Sequence, residues 1–244
     1  MTEDMKMIRL KTRGLYILKI AGVSTLLLLA AGAAGFTPSK GPLAMILKVI
    51  PEVTKQSQSA TDWAIASKGD PLTTGDKVRT DKNSLALIKF MDRSIVRLRE
   101  QSILTVDTST VEGKFTKFIK LWKGGFGFEF RKQRDEQFRL TSPTAVASIR
   151  GTRGMLSGGA GSDTLIVTEG IVRFANNVSN REIDVAAGNI GVSSQDGSIS
   201  SRRATTKELA EADRMATGGT LNELKLELRD KQGNKKELKL KYKQ

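Results

Sequence analysis

The side chains best placed for chemistry in this sequence are charges standing singly in apolar surroundings. Arg79 lies in Lys77–Thr80, and Arg97 and Arg150 sit inside otherwise apolar strands, while Asp76 and Asp92 occupy adjoining turns. A charge inside a strand core is costly unless paired. The spacing therefore predicts that at least one of these arginines makes a charge-assisted bond to Asp76, Asp92 or a turn carbonyl. The alternative is that they grip an anionic ligand.

More reactive chemistry is closed off. The 244 residues contain no cysteine and no histidine. That removes thiolate nucleophiles, disulfides, a lipidated cysteine, a Ser-His-Asp triad and the usual zinc ligands. Catalysis would have to rest on carboxylates, Lys, Tyr or Arg, and these are dispersed rather than gathered. The hydroxyls of Thr141-Ser142-Pro143-Thr144 have no accompanying base, and the proline marks a corner or edge. Gly158-Gly159-Ala160-Gly161 lacks the Lys-Ser/Thr and following helix of a phosphate loop, and reads as a hairpin tip. Phe126, Phe128 and Phe130 alternate, so they share one strand face, which favours core packing over a stacking platform for sugar or base. Neither a cofactor nor a metal is expected.

Lys and Arg number 40 against 26 acids, a formal charge of +14. Such a surface attracts nucleic acid, anionic lipid or acidic wall polymers. The first residues decide among these. Lys6, Arg9, Lys11 and Arg13 precede an apolar run from Leu15 to Phe36, the order of an export signal. Ala31-Gly32-Ala33 offers a cleavage site, and the run is equally long enough to stay as an anchor, with Lys19 reaching back to the headgroups. Both readings place the rest in the periplasm of a bacterial envelope, either anchored in the inner membrane or released after cleavage near Ala33. Export disfavours nucleic acid and leaves an envelope protein or an anionic polymer as partner, with the membrane engaged if the segment is uncleaved.

Positioning falls to short strands. Apolar runs of three to seven residues recur from Ile46–Ile50 through Trp63–Ala66, Leu85–Phe90, Ile103–Val106, Phe115–Leu121, Phe126–Phe130, Phe138–Thr141, Thr164–Val167, Ile171–Phe174 and Ile183–Val185 to Gly188–Val192. Turn residues separate them, among them Gly69-Asp70-Pro71, Lys82-Asn83-Ser84, Gly124-Gly125 and Asp196-Gly197. The pattern is all-β: a sandwich, barrel or solenoid. Aromatic residues are only 5% of the chain, which suits a thin, elongated array better than a thick core.

Several of these runs carry a resemblance. Leu72-Thr73-Thr74-Gly75-Asp76-Lys77-Val78-Arg79-Thr80 is followed by Ser84 to Leu98, which contains Ala86, Phe90, Asp92, Ser94, Val96 and Arg97 at the spacing "S-x-A-x-I-x-F-x-D-G-S-x-V-R-L". Ser102-Ile103-Leu104-Thr105-Val106 comes next. Phe138 to Thr152 then supplies Pro143, Thr144, Ala145, Val146, Arg150, Gly151 and Thr152, and Val167 to Val172 supplies Glu169 and Gly170. In order and spacing this resembles the FecR domain family. Arg93 stands where the family has Gly, and Arg153-Gly154 where an apolar residue follows "R-G-T". If position 93 needs positive φ, Arg costs about 1 kcal/mol, which a type I turn starting at Asp92 would avoid.

The resemblance implies a twisted, β-solenoid-like array of short strands over residues 45–200, with the motif residues mainly structural. Known members are inner-membrane anti-sigma regulators of iron uptake, with a cytoplasmic sigma-binding domain before the span. Only about 14 residues precede the apolar run here, so what carries over is the periplasmic module.

The tail differs. Residues 201–219 read as a short helix capped by Thr205 or Thr206 and stopped by Gly218-Gly219. Residues 220–244 read as a basic β-hairpin turning at Gln232-Gly233-Asn234. Its apolar face, Leu224, Leu226, Leu228, Leu238, Leu240 and Tyr242, would cap the array or add a strand to a partner's sheet. The whole therefore reads as residues 1–36 targeting segment (an apolar helix), 37–44 linker, the FecR-like β domain, helix and hairpin. The expected function is a non-catalytic envelope binding or scaffold module. The rivals are a signalling component acting with separate partners, and a β-helical polysaccharide-active enzyme.

Overall fold

The computed structural model describes residues 41–218 apart from 112–113, 133–135 and 160, together with the backbone of 222–229 and 235–242. The targeting segment, Lys19 and the Ala33 site lie outside the described residues. Among those described, no helix is long and apolar enough to cross a membrane.

Alternation of apolar and polar residues builds two sheets. Sheet A runs in the order β4 (Pro71–Leu72), β1 (Ala44–Ile50), β6 (Leu85–Phe90), β7 (Ile95–Leu98), the second half of β9 (Lys114–Glu129), β12 (Arg153–Gly159), β13 (Ser162–Glu169), β16 (Asn189–Ser194) and β17 (Ile199–Arg203). Sheet B runs β3 (Ala64–Ile65), β2 (Val53–Gln56), β5 (Lys77–Thr80), β8 (Ile103–Val111), the first half of β9, β10 (Glu136–Thr141), β11 (Ala145–Ile149), β14 (Ile171–Asn176) and β15 (Glu182–Ala186). Every pairing is antiparallel except β9 with β10.

β9 belongs to both sheets. The sequence suggested two strands with a turn at Gly124-Gly125; instead one strand of 16 residues bends there from one layer into the other. Gly124 has φ 83°, and a Cβ on it would stand 2.7 Å from the backbone of Ser102, so only glycine fits the corner. Ser102 pins the bend: its Oγ accepts from the Gly125 N–H at 2.9 Å. Further strands that the periodicity missed are β2, β4, β12 and β17.

The inner faces of the layers share one core. β6 buries Ala86, Ile88 and Phe90, and β11 buries Ala145, Ala147 and Ile149. Phe126, Phe128 and Phe130 all point inward. Phe138 of sheet B stacks on Phe130 at 4.0 Å and meets Phe90 edge-on at 5.2 Å, locking the layers together. Burial of each such ring contributes about 1.5–3 kcal/mol.

The outer face of sheet A carries α1 (Thr206–Thr217), which packs on its middle strands. Thr205 caps it with a reciprocal capping box to Glu208, and Gly218 ends it at φ 88°. Leu209, Ala212 and Met215 pack on Met155, Ile166 and Ile190, a second small core. The tail forms its own two-stranded sheet of β18 (Asn222–Arg229) and β19 (Lys235–Tyr242), with Leu224 opposite Leu240 and Leu226 opposite Leu238. The side chains of that hairpin face lie outside the described residues.

Candidate binding surfaces

The motif residues separate into three groups. In the turn before β5, Gly75 takes φ 85° and Asp76 is buried. The Asp76 carboxylate accepts the N–H groups of Thr73 at 2.8 Å and Gln58 at 3.1 Å, and the Thr73 hydroxyl at 3.1 Å. Val78 and Thr80 face the core, where the Ser102 N–H donates to Thr80 Oγ1 at 3.1 Å. This group orders a corner.

A second group lies at the far end of β10 and β11. Pro143 is exposed, while Thr144 donates from both N–H and hydroxyl to Asp163 Oδ2 at 2.6 Å. The Ser193 carbonyl lies 2.9 Å from the same Oγ1 and competes for its one hydrogen. Ala145 is in the core, and Val146 is half-buried on the outside.

The third group forms a rim where the β6–β7, β11–β12 and β13–β14 turns meet the segment after β9. The Asp92 carboxylate accepts the N–H of Ser94 at 3.0 Å and its hydroxyl at 3.1 Å, and pairs with Lys117 at 3.0 Å, both side chains 5% exposed. Gly151 and Gly170 have φ 65° and 86°. Glu169 pairs with Arg153 at 3.3 Å, and Arg153 also reaches Glu129 at 3.8 Å and Asp213 of α1 at 3.9 Å. Arg93 adopts φ 71°. The Arg93 N–H donates to the Phe90 carbonyl at 2.9 Å and the Phe90 N–H to the Ser94 carbonyl at 2.9 Å. A tight turn followed by a left-handed residue is the three-residue hairpin loop that favours glycine at that place. The strain is therefore not avoided, and costs about 1 kcal/mol.

Asp76 is held by backbone N–H groups and the Thr73 hydroxyl, and Asp92 by Ser94 and Lys117. Arg79 lies 4.5 Å over the Trp63 ring and donates to Thr54 Oγ1 at 3.2 Å. Arg97 donates to the Ala216 carbonyl at the end of α1, a favourable place for a cation. Burial there pushes the Arg97 guanidinium below its usual value, Glu129 opposing the shift and Arg153 adding to it. Arg150 stands beyond β11 and is exposed, not inside a strand.

The outward face of sheet B carries residues that the sequence reading passed over. Lys120 Nζ sits 3.8 Å over the Trp122 ring, and the Trp122 indole N–H donates to Thr105 Oγ1 at 2.9 Å. Arg139 lies 6.0 Å over Phe118, its direct cross-strand neighbour. With Arg79 on Trp63, three cation–aromatic pairs stand on one sheet face. Trp122 is 48% exposed. The signal was present: these are the alternate positions to the inward Ile119, Leu121, Leu140 and Val78. Among the described residues no group of His, Cys, Asp and Glu could hold a metal ion.

Residues 76–173 match the family model described as FecR protein. The match falls on the residues whose motif order resembles that family. Two crystal structures from Parabacteroides distasonis ATCC 8503, described as a candidate anti-sigma factor and solved at 2.50 and 1.65 Å, are similar to the chain with TM-scores of 0.46 and 0.45. Each is 10% identical to it, and the alignment covers 54% of this chain and 61% of theirs, so the chain spans less than two thirds of their length. Among curated proteins none matches.

Proposed function

We propose that the chain is an exported, non-catalytic FecR module that holds an anionic polymer of the bacterial envelope against the outward face of sheet B. One observation carries this reading: α1 packs on the middle strands of one outer face, while the other outer face presents three cation–aromatic pairs. Exposed indole offers a flat surface for a sugar ring, and Lys77, Lys120 and Lys123 supply charge for its acidic groups. Apart from the edge strands β3 and β4, both sheets follow chain order, which fits a solenoid-like array built to present an elongated surface. Residues 15–36 would deliver the module to the periplasm, as anchor or cleaved signal.

Retention of the full chain on an immobilised polyuronate, with a neutral glucan as control, tests the proposal. Binding should weaken as salt rises, and Lys120→Glu with Trp122→Ala should lower affinity about tenfold. Equal retention on the neutral glucan would overturn it. The FecR domain itself favours a second reading, a signalling component whose partner is an envelope protein. Capture of one such protein, with no polymer binding, would select it.

A further inference from the structure

The rim holds an open depression of about 810 Å³, lined by Arg93, Arg131, Lys132, Thr152 and Arg153 together with three carboxylates. Asp92 is paired with Lys117, while Glu129 and Glu169 share the single cation of Arg153. Arg93, Arg131 and Lys132 have no acidic partner among the described residues and are exposed. They come from two chain segments brought together by the fold. The Arg131 N–H donates to Ser94 Oγ at 3.1 Å, tying its segment to the β6–β7 turn. Lys132 lies against Gly151, where a Cβ would stand 2.8 Å from its own Cβ.

Two further facts coincide at this place. Thr152 is 3% exposed, and its Oγ1 has no hydrogen-bond partner; nor has Arg153 Nε. Arg93 keeps a left-handed backbone that glycine would hold without strain. Backbone strain that brings a long cation to the mouth of a depression points to use of that cation.

We propose that the rim depression binds a phosphate monoester, its oxygens held by the guanidinium forks of Arg93 and Arg131 and by Lys132. The site is separate from the face of sheet B and does not depend on it. The phosphate could belong to a soluble molecule or to a lipid headgroup, and the test distinguishes the two.

Glycerol 3-phosphate is titrated into the full chain by calorimetry, and phosphatidic acid vesicles are used in a parallel sedimentation assay. Binding in either arm supports the site and assigns the source. Arg93→Gly should weaken that binding at least fivefold while raising Tm by about 3 °C, since it removes the strain. Lys132→Ala should weaken it similarly with Tm unchanged. Lys120→Glu on sheet B should leave it intact, even if polyuronate binding is lost. Absence of binding in both arms, or unchanged affinity in Arg93→Gly, would overturn the proposal.

Discussion

A Cβ placed on Gly127 would stand 2.2 Å from the carbonyl oxygen of Met215, so the last turn of α1 rests directly on the backbone of β9. The close approach also delivers the Ala216 carbonyl to Arg97. The helix is thus fitted to the sheet at a position where only glycine leaves room.

Gly127→Val should therefore lift α1 without touching the inner core. The expected loss is about 1–3 kcal/mol, the range for overpacking. Limited proteolysis should show new cuts between 204 and 218 in the variant, and thermal denaturation should show a lowered Tm. A variant as resistant as the parent would mean that the helix is not seated this way.

Asp92 and Lys117 form a buried pair 25 residues apart in sequence, one from a sheet A turn and one from sheet B. Lys117→Met should strand the carboxylate and destabilise the protein by about 3–5 kcal/mol. Adding Asp92→Asn should recover much of that loss, because the uncompensated charge is gone. Chemical denaturation of both variants checks this, and equal stability of single and double variants would contradict it.

Glu208 caps α1, and its carboxyl is held down to about 2 from 4.5, chiefly by Arg202 at 2.7 Å and then by Thr205. A depressed carboxylate stabilises the fold above its unfolded value and loses that contribution as pH falls. Protection of the first α1 amides from hydrogen exchange should thus be full above pH 4.5 and decline towards pH 2. Glu208→Gln should remove the dependence. High salt should blunt it, since the pair is exposed.

Much of this architecture was legible because strand periodicity and turn chemistry are local. Leu85–Phe90, Ile95–Leu98 and Ala145–Ile149 begin and end where alternation placed them. β9 was misread because a positive-φ glycine serves a bend within a strand as well as a turn between strands. β12 was missed because its glycines, Gly154, Gly158 and Gly159, leave little apolar alternation to read. Gly154 is required by the Ile166 carbonyl, 2.2 Å from where a Cβ would sit. The Asp92–Lys117 pair and the convergence of Arg93, Arg131 and Lys132 are tertiary facts that no spacing along the chain encodes. The face of sheet B was within reach, since every inward residue names an outward neighbour.

The bend of β9 at Gly124 has a mechanical consequence. One backbone is hydrogen-bonded into both layers, to β8 and β10 on one side of the corner and to β7 and β12 on the other. Neither layer can slide or peel away without tearing bonds along a strand that the other also needs. Load arriving at either outer surface is thereby shared through a common covalent spine.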